Sequence, residues 1–166
     1  MNLRTILTIF TFLSSFTNFV NAQNFQPKEV DSTLIRSIFN MDTTYSEFGY
    51  IYLNTNYNSI SDKDSVIYIT DYDSIYCSFV QKFENGIIYR VKQSNCTEPK
   101  GKEVWIEFPK TDKKYLINFI EQLESLNFNW NKWNSDYTKY QPKGVGCYYS
   151  IKQTNSKSII SFFCGC

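Results

Sequence analysis

Three kinds of apolar spacing follow one another along the chain. Residues 5–20 form an apolar run of 16 residues, broken only by Thr, Ser and one Asn. Further on, apolar and polar residues alternate in short stretches, the two-residue period of a half-buried strand. These stretches cover 47–54 (EFGYIYLN), 65–70 (SVIYIT), 74–82, 87–93, 102–108 (KEVWIEF), 145–153 and 157–163. In 102–108 the pattern puts Glu103, Trp105 and Glu107 on one face and Val104, Ile106 and Phe108 on the other. One stretch takes the helical period instead. Leu116, Phe119, Ile120, Leu123 and Leu126 line one side of a helix that is capped at Thr111 or Asp112 and runs to about Asn127. Asp31 can cap a short helix over 32–39, with Leu34, Ile35 and Ile38 on one side.

Turn chemistry joins the strands into hairpins. Asn85-Gly86 is the strongest short hairpin signal, because a type I′ turn needs positive φ at both central residues. Asn155-Ser156 closes the last hairpin. The expected class is α+β: a mostly antiparallel sheet of hairpins with one long helix, about 111–127, packed on it and braced by disulfides. Residues 23–29 read as a loose polar tail.

The first run changes the picture of where the chain works. Arg4 precedes it, Val20-Asn21-Ala22 follows with small residues, and the run is short of the roughly 20 apolar residues a membrane helix needs. This is the layout of a signal peptide over 1–22, cut after Ala22, and it predicts a secreted or periplasmic protein. The remaining 144 residues, 23–166, are the size of one domain. No later stretch is apolar enough to span a bilayer. The near balance of 17 Lys+Arg against 16 Asp+Glu, without a basic block, argues against nucleic acid as a partner.

Export makes the five cysteines candidates for disulfides. With a two-residue turn at Asn155-Ser156, facing residues sum to 311, and Cys147 and Cys164 stand directly opposite each other. They fall at a non-hydrogen-bonded position, where Cα atoms lie about 4.5 Å apart, within disulfide range. The Asn85-Gly86 turn gives a sum of 171, which puts Cys77 opposite Ser94 and on one face with Cys96, so Cys77–Cys96 is the second expected bond. Cys166 is left over, as a free thiol or an intermolecular one, and would tether a disulfide-linked dimer.

Chemistry is constrained by what is missing. The chain contains no histidine, which excludes Ser-His-Asp and Cys-His catalysis and every histidine metal site. Asp62, Asp64, Asp71 and Asp73 begin like a calcium loop, but Ile67 occupies the position that demands Gly. Glu103 and Glu107 are a carboxylate pair about 13 Å apart along one strand, long for glycosidase work. Neither a cofactor nor a metal is expected. The segment rich in aromatics and amides, with Trp130, Trp133, Tyr137 and Tyr140, is the candidate ligand platform. The same four residues also follow helical spacing, which would bury them. The leading expectation is therefore a secreted binding module for an extracellular or periplasmic glycan, peptide or protein. The alternative is a thiol-active or disulfide-tethered protein that acts through Cys164-Gly165-Cys166.

Overall fold

The computed structural model describes residues 24–41, 48–69, 75–94, 101–124, 131–134, 136–142 and 146–165. The signal segment 1–22, Cys96, Trp130 and Cys166 lie outside these residues. The described chain forms α1 (Ser32–Met41), α2 (Phe48–Asn56), β1 (Asp64–Ile69), β2 (Ile75–Lys82), β3 (Ile88–Ser94), β4 (Gly101–Pro109), α3 (Lys113–Glu124), β5 (Asn131–Trp133), β6 (Lys139–Pro142), β7 (Cys147–Gln153) and β8 (Lys157–Gly165).

All eight strands share one antiparallel sheet in the order β1-β2-β3-β4-β8-β7-β6-β5. It consists of two four-stranded meanders set side by side through their last strands, β4 and β8. The α3 helix falls between the two meanders in the chain. In each half helices come first, two in the first and one in the second, and four antiparallel strands follow.

Among the described residues, one face of the sheet is covered. Alternation along β4 buries Val104, Ile106 and Phe108, and β3, β7 and β8 add Tyr89, Val91, Ile151 and Ile160 to the same side. Against them pack Ile35 of α1, Ile51, Tyr52 and Leu53 of α2, and Leu116, Phe119, Ile120 and Leu123 of α3. The helical stripe expected for α3 is therefore its buried face. The helix spans 12 residues, Lys113–Glu124, and is one of three described helices rather than a single long one. The expected extension beyond 124 lies outside the described residues.

Helix α1 begins as its sequence requires. The Asp31 carboxylate accepts the Leu34 N–H at 3.0 Å, which satisfies a donor that has no partner within the helix. Helix α2 is a correction, since 47–54 reads as a strand. Residues Gly49 to Leu53 are buried in succession, so they touch protein on all sides and carry no amphipathic signature. A short, wholly apolar run cannot be sorted between helix and strand by period alone. Tertiary contact decides: a Cβ on Gly49 would lie 3.0 Å from the Ile106 Cδ1, so the glycine lets the helix lie close to the sheet.

The N-terminal segment is also corrected, at least from residue 24 onward. It is a strap rather than a loose tail. Phe25 stacks on Phe108 at 5.8 Å and lies 6.3 Å from Tyr57, and its N–H bonds the Lys110 carbonyl at 2.7 Å. The Tyr57 hydroxyl accepts the Lys28 N–H at 2.9 Å, and the Tyr52 hydroxyl donates to the Lys28 carbonyl at 2.8 Å. One aromatic side chain in a polar heptapeptide was enough to anchor it.

Candidate functional site

The last hairpin has the register its sequence predicts. Thr154 bonds Lys157 across the turn, Cys147 faces Cys164, and the two cysteines form an intramolecular disulfide with a Cα separation of 4.0 Å. The Asn85-Gly86 hairpin departs from its expected register by one residue. Both residues hold positive φ, 60° and 75°, and the Ile87 N–H bonds the Glu84 carbonyl at 3.3 Å, so the turn itself forms. The Glu84 N–H, however, bonds the Asn58 carbonyl at 2.9 Å, and Phe83 pairs with Ile87 in its place. This bulge shifts the register, so Cys77 faces Gln93 instead of Ser94. Cys77 is disulfide-bonded, but to a residue outside the described set, where Cys96 also lies. The same-face argument for Cys77–Cys96 no longer holds.

The aromatic segment is a hairpin, β5–β6, rather than a helix. Trp133 is half-buried and donates its Nε1–H to the Glu121 carboxylate at 2.8 Å. Tyr140 is fully buried, edge-on to Trp133 at 4.9 Å, so it presents no ring to a ligand. Burial, then the negative charges of Glu124 and Glu121, push its phenol upward, and its hydroxyl has no hydrogen-bond partner. Tyr137 is 50 % exposed at the hairpin tip with φ 54°, a rare conformation for a bulky side chain. The Asn134 side chain holds this tip by accepting the Thr138 and Lys139 N–H groups at 2.9 and 2.7 Å. Of the expected platform, then, only Tyr137 and part of Trp133 are accessible among the described residues. Tyr137→Gly should raise stability by about 1 kcal/mol, because glycine adopts this φ without strain. A urea midpoint that falls instead would show that the ring contributes more by packing on Trp133 than the backbone loses.

The larger accessible surface is the sheet's other face. Strand pairing lays Asp64, Val80, Arg90, Trp105, Ser161, Ser150 and Lys139 in one row across seven strands. A neighbouring row reads Lys82, Ile88, Glu107, Ile159 and Lys152, and the opposite one Ser78, Lys92, Glu103, Phe163 and Tyr148. None of these side chains belongs to the core cluster, and no described helix packs on them. Trp105, Tyr148, Phe163, Ile88 and Ile159 are all half-buried, each leaving part of its side chain accessible. Tyr148 pairs with Phe163 at 5.3 Å, and the Lys139 ammonium lies 4.1 Å from the Tyr148 ring centroid.

Glu107 is a charge on this face held by two cations. It accepts Arg90 Nε at 3.1 Å and Lys157 Nζ at 2.5 Å, with 12 % of its side chain exposed. Partial burial raises its pKa, but the Lys157 hydrogen bond and charge, joined by those of Arg90, outweigh burial and hold it below its ordinary 4.5. A depressed folded pKa gives stability that is complete above the unfolded value and is lost as pH falls through the folded one. Glu107→Gln should therefore lower the urea midpoint at pH 7 and have no effect near pH 2. An equal loss at both pH values would mean that the residue acts through packing alone.

Other chemistry is sparse. Among the described residues no three His, Cys, Asp or Glu side chains converge as metal ligands. Asp62 and Asp64 are exposed, and Asp71 and Asp73 lie outside the described residues. A polar cavity of about 290 Å³ lies between the strap and α3, lined by Gln26, Lys28, Glu29, Tyr115, Asn118 and Gln122 among others. The Lys28 ammonium is already engaged by the Asn56 carbonyl and the Tyr57 ring, which leaves the exposed Glu29 as the lining's other charged side chain and no cluster of convergent charges. Among the described residues, no helix is long and apolar enough to cross a membrane.

No family model, curated protein or solved structure matches this chain. Any functional reading therefore rests on the surface itself. The residues that carry it were visible in the sequence as the alternation of Glu103, Trp105 and Glu107, which reads as an ordinary solvated face. Their neighbours on β3, β7 and β8 become legible only once the strand order is known.

Proposed function

We propose that the chain is an exported interaction module that docks a folded protein on the uncovered face of its sheet. The observation that carries this reading is Trp105. It is only half-buried in the middle of the sheet and lies diagonal to Phe163, on a face that no described helix covers. Aromatic and Arg side chains surrounded by polar ones are the composition of interface hot spots. The size also fits. Eight strands of about seven residues cover about 34 by 23 Å, on the order of 800 Å², which is one partner's share of a standard interface. Export is supported by the apolar run at 5–20 and by the intramolecular disulfide, a bond that persists in oxidising compartments.

The test is a site-resolved photo-crosslink in cultures of the producing organism. A benzophenone amino acid replaces Ser161, beside Trp105, and in a second variant replaces Leu34, 44 % exposed on α1. An adduct of defined mass is expected at 161 and not at 34. Equal labelling at both positions, or none at 161, would sink the reading. With the partner in hand, Trp105→Ala should weaken binding about 30-fold, the roughly 2 kcal/mol typical of a hot spot. A titration with unchanged affinity would remove Trp105 from the interface.

A further inference from the structure

The charges on the uncovered face are unevenly compensated. Arg90 and Lys157 are both taken up by Glu107, and Lys92 stands opposite Glu103 in the β3–β4 register. Lys82, Lys139 and Lys152 remain, all exposed, with no carboxylate among the described residues bonded to them. Among the described strand residues, the one other acid on this face is Asp64, on the edge strand β1. The whole chain is close to neutral, at a formal +1, so this positive excess is a property of the face and not of the composition.

The geometry of the excess is specific. Lys82 and Lys152 sit in the same row, four strand spacings apart, so their Cα atoms are about 19 Å from each other. Lys139 lies in the next row, two strands beyond β8. Between them lie Ile88, Trp105 and Ile159, together with Glu107, whose charge is taken up by Arg90 and Lys157. A small anion cannot bridge ammonium groups at such a distance, whereas a protein surface with separated carboxylates can. Cations at the rim around an apolar centre raise the association rate and select the partner by charge, while the centre supplies affinity.

Building on the docking reading above, we infer that the partner presents an acidic protein surface, with carboxylates flanking an apolar contact, and that Lys82, Lys139 and Lys152 select it. The test titrates the isotopically labelled full chain with poly-L-glutamate, using poly-L-lysine and dextran sulfate as references and reading backbone amide and Trp indole shifts. With poly-L-glutamate, shifts should be confined to the uncovered face, centred on Trp105, and the apparent affinity should fall steeply with added salt. The double variant Lys82→Glu/Lys152→Glu should bind poly-L-glutamate at least about tenfold more weakly, with its spectrum otherwise preserved. Shifts on the helix side, an unchanged affinity in the double variant, or a response to poly-L-lysine would overturn the inference. So would binding of dextran sulfate alone, which would point to a sulfated glycan. The two proposals fail separately. If the crosslink at 161 finds a partner whose affinity the double variant leaves unchanged, charge selection fails and docking stands. If no adduct forms at 161, docking itself fails.

Discussion

Phe119→Ala is expected to lower the unfolding free energy by about 3–5 kcal/mol, the range for removing a buried phenyl ring. Phe119 is 2 % exposed at the junction of α3, α2 and the sheet. Its ring meets Tyr52 edge-on at 4.7 Å and Phe108 at 5.6 Å. Neither neighbour can collapse into the space that alanine would leave. Tyr52 is tethered through its hydroxyl to the Lys28 carbonyl, and Phe108 sits in β4, which pairs with strands on both sides. The cavity would stay open, and that is the condition for a cost at the high end. Natural domains have only about 5–15 kcal/mol in total, so the variant would be marginal. Urea unfolding monitored by far-ultraviolet circular dichroism measures the loss, with Phe119→Leu as a variant that retains part of the volume and should lose less. A loss under about 2 kcal/mol, below the range for such truncations, would mean that α3 is not seated as described.

Removing the Cys147–Cys164 bond is expected to cost about 3 kcal/mol, the chain-entropy value for a loop of this size. The two cysteines are 17 residues apart and close the β7–β8 hairpin at the end away from its turn. The double variant Cys147→Ser/Cys164→Ser is the proper comparison, because chemical reduction would also open the bond to Cys77. Hairpin structure that survives in the unfolded chain would reduce the effect. A loss below about 1 kcal/mol would place the disulfide outside the chain-entropy account. The uncovered face should respond as well: Tyr148 and Phe163 lie one residue from the bonded cysteines, so their ring contact should loosen in the variant.

Particular residues explain what could be read in the sequence. Val104, Ile106 and Phe108 alternate because one side of β4 meets helices, and the period survives in any correct fold of that strand. The Cys147–Cys164 register followed from counting because nothing intervenes between the Asn155-Ser156 turn and the cysteines. The same count failed at Asn85-Gly86 because Asn58, 26 residues upstream of Glu84, captures the Glu84 N–H and inserts a bulge. A distant carbonyl leaves no trace in a local pattern. The 130–140 aromatics were ambiguous for a related reason. Their spacing suits a helix, but Trp133 and Tyr140 face each other across two strands, with Tyr137 at the tip between them.

Local order was thus set by the sequence alone: the strand alternation, the Asp31 cap, the apolar stripe of α3, the turn residues and the last hairpin's disulfide. Each depends on contacts within a few residues or across one tight turn, where spacing and side-chain chemistry suffice. The tertiary structure alone decided that 48–56 is a helix, that Phe25 anchors a strap, and that β4 and β8 lie side by side. That last pairing assembles Trp105, Phe163 and Tyr148 with the lysines into one surface. Its members come from strands up to about 80 residues apart in the chain. Only the pairing of whole meanders, stabilised by the buried face beneath them, brings these residues within reach of a single partner.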